Sequence, residues 1–390
     1  MYTDKRVYSY FYPMMIGRGC VASLGEKVKE QGCERTIVLY DKPLKELGIV
    51  DRVLSSLKAS NVQYVGWDGV QTDPSADSVN RAAEIARSEG VDGIVAIGGG
   101  SAIDTGKAVD VLIHNPGRAE DWFEVKDVKP GVPSFMVSTT SGTASEVTVL
   151  AVISDADGKK RLMFPNAAAP RMAVLDPELT LGLPPALTSS TGMDAFSHAA
   201  ESFTCNLANP LTDRMALDAI RLVAQWLPTA ARDGGNLDAR EGMQMAQLIA
   251  GLSFNNASTH AGHAIAHALG KARHVPHGVG CAFAVGEVLE FFAPDVPKKV
   301  REIGLLMGAD IPENAAPEEI GRLTRETINA FKKKIHVPTV AERGVTKEQL
   351  ALLGDDFMLE GGKKYTLREM TASAYIALAT TALDNEAADQ

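Results

Sequence analysis

Between about residue 30 and residue 185 the chain alternates short β-branched runs with stretches of helix length, and nothing else in it restricts the fold as tightly. Thr36-Ile-Val-Leu-Tyr40 precedes a helical stretch from Val50 to Ala59, and Val62-Gln-Tyr-Val65 precedes another from Ala76 to Glu89. Gly93-Ile-Val-Ala-Ile97 and Phe135-Met-Val-Ser138 continue the series. Strands separated by helices of that length join through crossover connections into a mostly parallel sheet. After Leu183-Pro-Pro185 the pattern changes to Ala-, Leu- and Met-rich amphipathic segments almost without strand signal. A chain of 390 residues has the length for two domains. The expectation is an α/β domain with a parallel sheet over 1–185, followed by an all-α domain over 186–390. The polar stretch Arg232-Asp-Gly-Gly-Asn236 reads as a loop between helices, and no internal repeat is present.

The strand at Gly93 runs into Gly98-Gly99-Gly100-Ser101 and then a helical stretch through Asp104 to Ala108. Such a turn lets backbone amides approach a phosphate while the helix N-terminus faces its negative charge; a tight strand-to-helix turn is the competing reading. The spacing is not G-x-G-x-x-G after a first strand, so a conventional Rossmann assignment fails in detail. Asp41 lies just past the first clear strand, where a carboxylate accepts from ribose hydroxyls and repels a 2'-phosphate. It would serve equally as the N-cap of the following turn. Ser138-Thr139-Thr140-Ser-Gly-Thr143-Ala-Ser-Glu146 offers a row of hydroxyls and amides behind another buried strand; an ordinary Ser/Thr turn and helix cap would look the same.

Six of the eight histidines fall between His198 and His277. Asp194 and His198 stand at i and i+4 of one helical segment. His260, His263 and His267 stand at i, i+3 and i+7, along one stripe of a segment expected to stop at Gly270, and His274 and His277 flank Pro276. Several imidazoles with a carboxylate suit a mid-row transition metal, Fe(II) or Zn(II), and not a hard all-oxygen ion. Any one of these residues has a competing reading as a core histidine. Burying so many without a common purpose would leave many polar groups to satisfy.

A net charge of -10 and a pI near 5.4 speak against nucleic acid or an anionic membrane surface as partner, which leaves small molecules. Met1 to Arg6 are followed by no apolar signal core, and no run of 18 uncharged apolar residues occurs, so the expected location is cytoplasmic. Cys20, Cys33, Cys205 and Cys281 are scattered without CxxC spacing, as expected of reduced thiols, and none reads as catalytic.

Taken together, the ordered motifs resemble the iron-containing (group III) alcohol dehydrogenases over nearly the whole chain. They are the strand ending in Asp41-Lys42, Gly98-Gly-Gly-Ser-Ala-Ile-Asp104, Thr139-Thr-Ser-Gly-Thr-Ala-Ser-Glu146, Asp176-Pro-Glu-Leu-Thr180, Gly192-Met-Asp-Ala-Phe-Ser-His198, and Gly251-Leu-Ser-Phe-Asn-Asn-Ala-Ser258 running on to His277-Gly278. The resemblance implies an N-terminal dinucleotide-binding domain, a C-terminal helical metal-binding domain of the dehydroquinate synthase-like fold, and an active site in the cleft between them. It implies Asp194, His198, His263 and His277 as metal ligands, with His260 and His274 outside the set. His267 falls where the family has a non-ligand histidine near the nicotinamide, and would relay the released proton. Asp41, Gly98, Gly99, Gly100, Ser101, Asp104, Thr139, Thr140, Thr143, Thr148 and Lys160 match dinucleotide-contacting positions, with Leu179 and Leu183 beside the adenosine and Phe254 at the substrate pocket. Asp73, Ala144 and Ala268 depart from the asparagine, glycine and proline common in the family at those positions.

The function so implied is hydride transfer between a primary alcohol or diol, or the corresponding aldehyde, and NAD in preference to NADP. The metal would act as Lewis acid, Fe(II) first and Zn(II) second, in a homo-oligomer. The alternatives are a metal-dependent lyase or glycerol dehydrogenase-like enzyme of the same superfamily, which would normally show another ligand set, and a metallohydrolase, which would have no use for the glycine loop.

Overall fold

Apolar runs that are buried on both sides pair with amphipathic helices to build the first of two compact units, which meet in sequence at Gly182 and Leu183. The structure, a computed structural model, describes residues 13–165, 170–359 and 364–388; Met1 to Arg6 lie outside it. Strands β1 (Met14–Ile16), β2 (Arg35–Leu39), β3 (Gln63–Trp67), β4 (Gly93–Gly98) and β5 (Ser134–Ser138) are followed by β6 (Ala151–Ser154), β7 (Lys160–Met163) and β8 (Met172–Leu175). Six of them form a parallel sheet in the order β1-β8-β5-β4-β2-β3, while β6 and β7 pair antiparallel. Every residue of β4 and β5 is buried, as a parallel sheet covered on both faces requires, and this accounts for the apolar runs Ile94 to Ile97 and Phe135 to Val137.

Helices α1 (Leu24–Glu30), α2 (Lys42–Glu46), α3 (Ile49–Ala59), α4 (Ala76–Ser88) and α5 (Gly100–His114) belong to the same unit. On α3 the buried residues Val50, Val53, Leu54 and Leu57 recur at i, i+3, i+4 and i+7. Ser75 caps α4 by accepting from the Ser78 amide. The expected parallel α/β architecture is therefore present, with the strands read from sequence displaced by only a residue or two. The short β1 and the β6, β7 and β8 segments carried no comparable signal, because three or four residues do not establish a period.

From Leu183 onward the chain is helical: α6 (Pro185–Thr204), α7 (Pro210–Arg232), α8 (Leu237–Phe254), α9 (Ala261–Arg273), α10 (His277–Phe292), α11 (Pro297–Met307), α12 (Pro317–Lys334), α13 (Lys347–Leu352), α14 (Gly354–Leu359) and α15 (Ala372–Ala388). No strand occurs here among the described residues, in line with the all-helical expectation. Two apolar clusters fill the unit. One gathers residues of α6, α7, α8, α11 and α12, the other residues of α9 and α13 to α15. Helix α10 serves both, with Ala282, Val285 and Leu289 in the first and Val279, Phe283, Val288 and Phe292 in the second. It lies close against α9: a Cβ on Gly280 would come within 2.8 Å of the Ala266 backbone. Among the described residues no helix is long and apolar enough to cross a membrane.

Two local readings change. The helix expected to stop at Gly270 runs to Arg273 and ends where His274 turns left-handed at φ 53°. A single interior glycine costs only about 1 kcal/mol and does not end a helix; the left-handed residue and Pro276 two positions later do. At the other end His260 is the N-cap, with φ -143° and ψ -122°, so it lies outside the helix and off the stripe shared by His263 and His267.

Asp110 on α5 is a buried acid in the α/β unit. One carboxylate oxygen accepts from the Val132 amide at 3.0 Å while the other has no partner, and burial pushes the carboxyl up to about 7. A folded-state value raised above that of the unfolded chain favours folding at low pH and loses that contribution as pH rises through about 7. Urea midpoints measured from pH 4 to pH 8 are expected to show wild type losing ground to Asp110→Asn by up to about 1.4 kcal/mol per pH unit, levelling above neutrality. A constant difference across the range would refute this.

Candidate functional site

Three helices of the second unit aim side chains at one point. Asp194 and His198 lie one turn apart on α6, His263 sits in the first turn of α9, and His277 is the first residue of α10. Asp194 Oδ1 is 3.7 Å from His198 Nδ1, 3.9 Å from His263 Nε2 and 3.5 Å from His277 Nε2. One donor atom from each of the four lies within 4.8 Å of all the others. Ligand atoms bound tetrahedrally to zinc at about 2.0–2.2 Å stand about 3.4 Å apart, so a small contraction would close this set on an ion.

The chemistry of the donors fits an ion as well as their spacing does. Asp194 Oδ1 and His263 Nε2 are buried without a hydrogen-bond partner, a costly state that a cation relieves. Burial pushes the Asp194 carboxyl up, and it pushes His263 down to about 3. A buried carboxylate facing neutral imidazoles is the ligand state that a divalent transition metal requires. Side-chain exposure is 2% at Asp194, 7% at His198 and 6% at His263 but 36% at His277, so the set is most open to solvent at His277.

Around this set, the Phe254 ring stacks on His198 with centroids 4.3 Å apart and planes 15° apart. His267 stacks on His277 at 5.0 Å. His260 points elsewhere, its Nε2 2.9 Å from Thr204 Oγ1, and His274 forms the left-handed end of α9. Two neighbours carried no role in the sequence reading. Cys281, one turn along α10, places Sγ 3.5 Å from His277 Nε2, and its thiol is pushed far up, by burial first. Glu201 lies 3.1 Å from His263 Nδ1. Its signal was available, since Asp194, His198 and Glu201 stand at i, i+4 and i+7 on one helix.

The glycine turn lies in the first unit. Gly98 adopts φ 152°, and a Cβ there would come within 2.6 Å of Ala102 Cβ. The turn packs on the threonine row, since Cβ atoms on Gly99 and Gly100 would lie 3.0 and 3.1 Å from the Thr140 and Thr143 methyls, and the Thr139 amide donates to Gly98 O at 3.0 Å. No side chain caps α5, which starts at Gly100 and Ser101. Thr140 Oγ1 and Ser141 Oγ are buried without a partner. Open amides at a helix N-terminus beside two unsatisfied hydroxyls fit a phosphate group.

Other residues matched to the dinucleotide occupy different surroundings. Asp104 accepts from the Ser145 hydroxyl and, at 2.9 Å, from the Val152 amide. The fully buried Lys107 donates to Ser145 at 2.8 Å, Thr148 at 3.0 Å and Leu150 O at 2.7 Å, while burial pulls its ammonium down. Asp104 and Thr148 thus brace the loop from inside. Lys160 pairs with Asp73 at 2.7 Å; Asp73, in the position where asparagine is common, turns left-handed at φ 56°, which both residues tolerate. Asp41 caps α2, its Oδ1 accepting from the Leu44 amide at 3.0 Å. Leu179 is enclosed in the core beside Val21 and Leu24, and the Leu183 carbonyl accepts from Arg240 at 3.1 Å.

If the four donors are the ligand set, metal-stripped protein will bind one equivalent of Zn(II) or Co(II) in equilibrium dialysis. Asp194→Ala and His263→Ala are expected to bind at least about 100-fold more weakly; retention of full affinity by both would remove the assignment.

Residues 13–177 match the family described as iron-containing alcohol dehydrogenase, and residues 188–383 match the C-terminal domain of the Fe-containing alcohol dehydrogenase family. The chain is 34% identical over 352 residues to the NAD-dependent methanol dehydrogenase of Bacillus methanolicus, covering 88% of this chain and 92% of that protein. It is 32% identical over 378 residues to the lactaldehyde reductase of Escherichia coli K12, covering 94% and 96%. A crystal structure of 1,3-propanediol oxidoreductase superposes with a TM-score of 0.92 at 31% identity, covering 97% of this chain and all of that one.

Proposed function

The chain belongs to the iron-containing alcohol dehydrogenase family, and from that premise we propose that it moves a hydride between NAD and a small primary alcohol or diol, or runs the reverse reduction of the aldehyde. The observation that carries the reading is the convergence of Asp194, His198, His263 and His277, with buried donor atoms that lack a protein partner. The small alcohols and aldehyde in the names of its relatives support a short substrate.

Asp194, His198, His263 and His277 would hold a divalent metal, which would supply Lewis acidity toward the alcohol oxygen, and a bound dinucleotide would supply the hydride acceptor. The chain's own residues do the rest. Asp194 contributes the one negative charge of the ligand set. Phe254 fixes the His198 ring by stacking and offers an apolar wall to the carbon chain of the substrate. His267, stacked on the partly exposed ligand His277, takes the proton released from the alcohol and passes it to water. The Gly98 to Ser101 amides, with Thr140 and Ser141, hold the phosphates. Asp41, beyond β2, disfavours a 2'-phosphate and so supports NAD over NADP.

Fe(II) is the proposed native metal, with Zn(II) the second fit to three imidazoles and a carboxylate. The four free cysteines suit a reducing compartment and support a cytoplasmic location. Met14 and Ile16, exposed on the edge strand β1, support association of copies into a homo-oligomer.

Metal-stripped protein reloaded anaerobically with Fe(II) or Zn(II) is expected to form NADH, followed at 340 nm, from short primary alcohols or diols. Phe254→Ala should alter the preference between short and longer alcohols, and His263→Ala should abolish turnover. No change in NADH with any alcohol or aldehyde, under either metal, would retire the reading in favour of a lyase of the same superfamily.

A further inference from the structure

Glu201 is fully buried, three residues beyond His198 on α6, and its carboxylate is spent entirely on the chain that leads into α9. Oε2 accepts the backbone amide of His260, the N-cap of α9, and Oε1 lies 3.1 Å from Nδ1 of His263, in the first turn. The ring of His260 is in turn anchored to Thr204 Oγ1 at 2.9 Å, one turn along α6 from Glu201. Gly262 leaves the approach open: a Cβ there would lie 2.2 Å from Glu201 Oε1. A carboxylate taken out of water is costly, and this one is held by one donor from the N-cap and one from the first turn of a helix that carries a ligand.

An ionised carboxylate accepts at both oxygens and donates at neither, so beside ionised Glu201 the His263 proton belongs on Nδ1. That tautomer leaves the lone pair of Nε2, the atom without a protein partner, facing Asp194 Oδ1 across 3.9 Å. The opposite tautomer would set the Nδ1 lone pair against the Glu201 oxygen. Hydrogen bonds of this kind from a carboxylate to a ligand imidazole fix its tautomer and ring orientation and raise its basicity.

We propose that Glu201 is a positioning residue for the metal centre, holding His263 as the Nδ1–H tautomer with its ring aimed at the ion, and that Gly262 is kept free of a side chain to admit the carboxylate. This rests on the metal-centre reading above. Glu201 touches neither substrate nor dinucleotide in this role; it acts through His263.

Two measurements test it. The first is 15N NMR of the histidine rings in metal-free wild type, with His263 assigned by its loss in His263→Ala; the expected signal is that of an Nδ1–H ring, and a proton on Nε2 overturns the proposal. The second is Zn(II) affinity by competition with a chromophoric chelator for wild type, Glu201→Gln and Gly262→Ala, with circular dichroism of the metal-free forms alongside. Glu201→Gln is expected to bind about 10–100-fold more weakly with an unchanged fold. Gly262→Ala, which displaces the oxygen without removing the charge, should weaken binding in the same direction. Binding by Glu201→Gln within about 3-fold of wild type overturns the proposal, and if that variant does not fold, the wild-type tautomer and Gly262→Ala decide. Failure of wild type itself to bind zinc removes the metal-centre reading instead, and the tautomer still decides the part played by Glu201.

Discussion

The helical unit is organised around a mutual dependence between one buried carboxylate and three imidazoles. Asp194 at 2% exposure cannot remain ionised in an apolar interior unless positive charge stands beside it, and the atom that needs it, Oδ1, is the one on which His198, His263 and His277 converge. The imidazoles in turn must stay neutral to offer lone pairs, and burial keeps His263 so. Donors that would each be a liability alone form a coherent site for an ion when they share one point.

Holding four donors to within an ångström demands that three helices keep their register. Helix α10 is gripped by two apolar clusters, one on each side, and touches α9 closely enough that Gly280 leaves no room for a methyl group beside Ala266. Helix α6 is buried along most of its length, so its Asp194, His198 and Glu201 stripe cannot rotate without exposing its apolar neighbours. Close packing of this kind resists small displacements and gives a site its precision. The Glu201 bond to His263 adds a direct tie between α6 and α9, made at Nδ1, the ring nitrogen that faces away from Asp194.

The glycine turn of the first unit solves a different problem with the same economy of charge. The buried Lys107 and the partly buried Asp104 lie near one another and share Ser145, so a network inside the unit holds the loop beside the start of α5. A reading from motif alone assigns Asp104 and Thr148 to the dinucleotide, because a polar residue beside a phosphate loop looks the same in sequence whether it faces outward or braces the loop. Only the direction of each side chain separates the two, and here Asp104 meets the Val152 amide and Thr148 meets Lys107.

By itself the sequence determined which periods fold where and which functional groups are available. Short apolar runs between stretches of helix length make β2 to β5, a period of 3.6 makes the helices after Leu183, and residues at i and i+4 such as Asp194 and His198 share a face because a helix turns once in 3.6 residues. Family motifs single out Asp194, His198, His263 and His277 without any distance between them. Tertiary structure decided what local pattern cannot encode. His260 looked like a member of the histidine stripe, yet the N-cap geometry at the start of α9 sends its ring to Thr204. Glu201 looked like one more acid on a helix, yet α9 arriving beside α6 turns it into the partner of His263. Leu179, which the resemblance places beside the adenosine, packs in one apolar cluster with Val21 and Leu24, residues far from it in sequence. The physical reason is common to all three: a residue's neighbours along the chain follow from the geometry of its own element, whereas its neighbours across space exist only once other elements have packed against it.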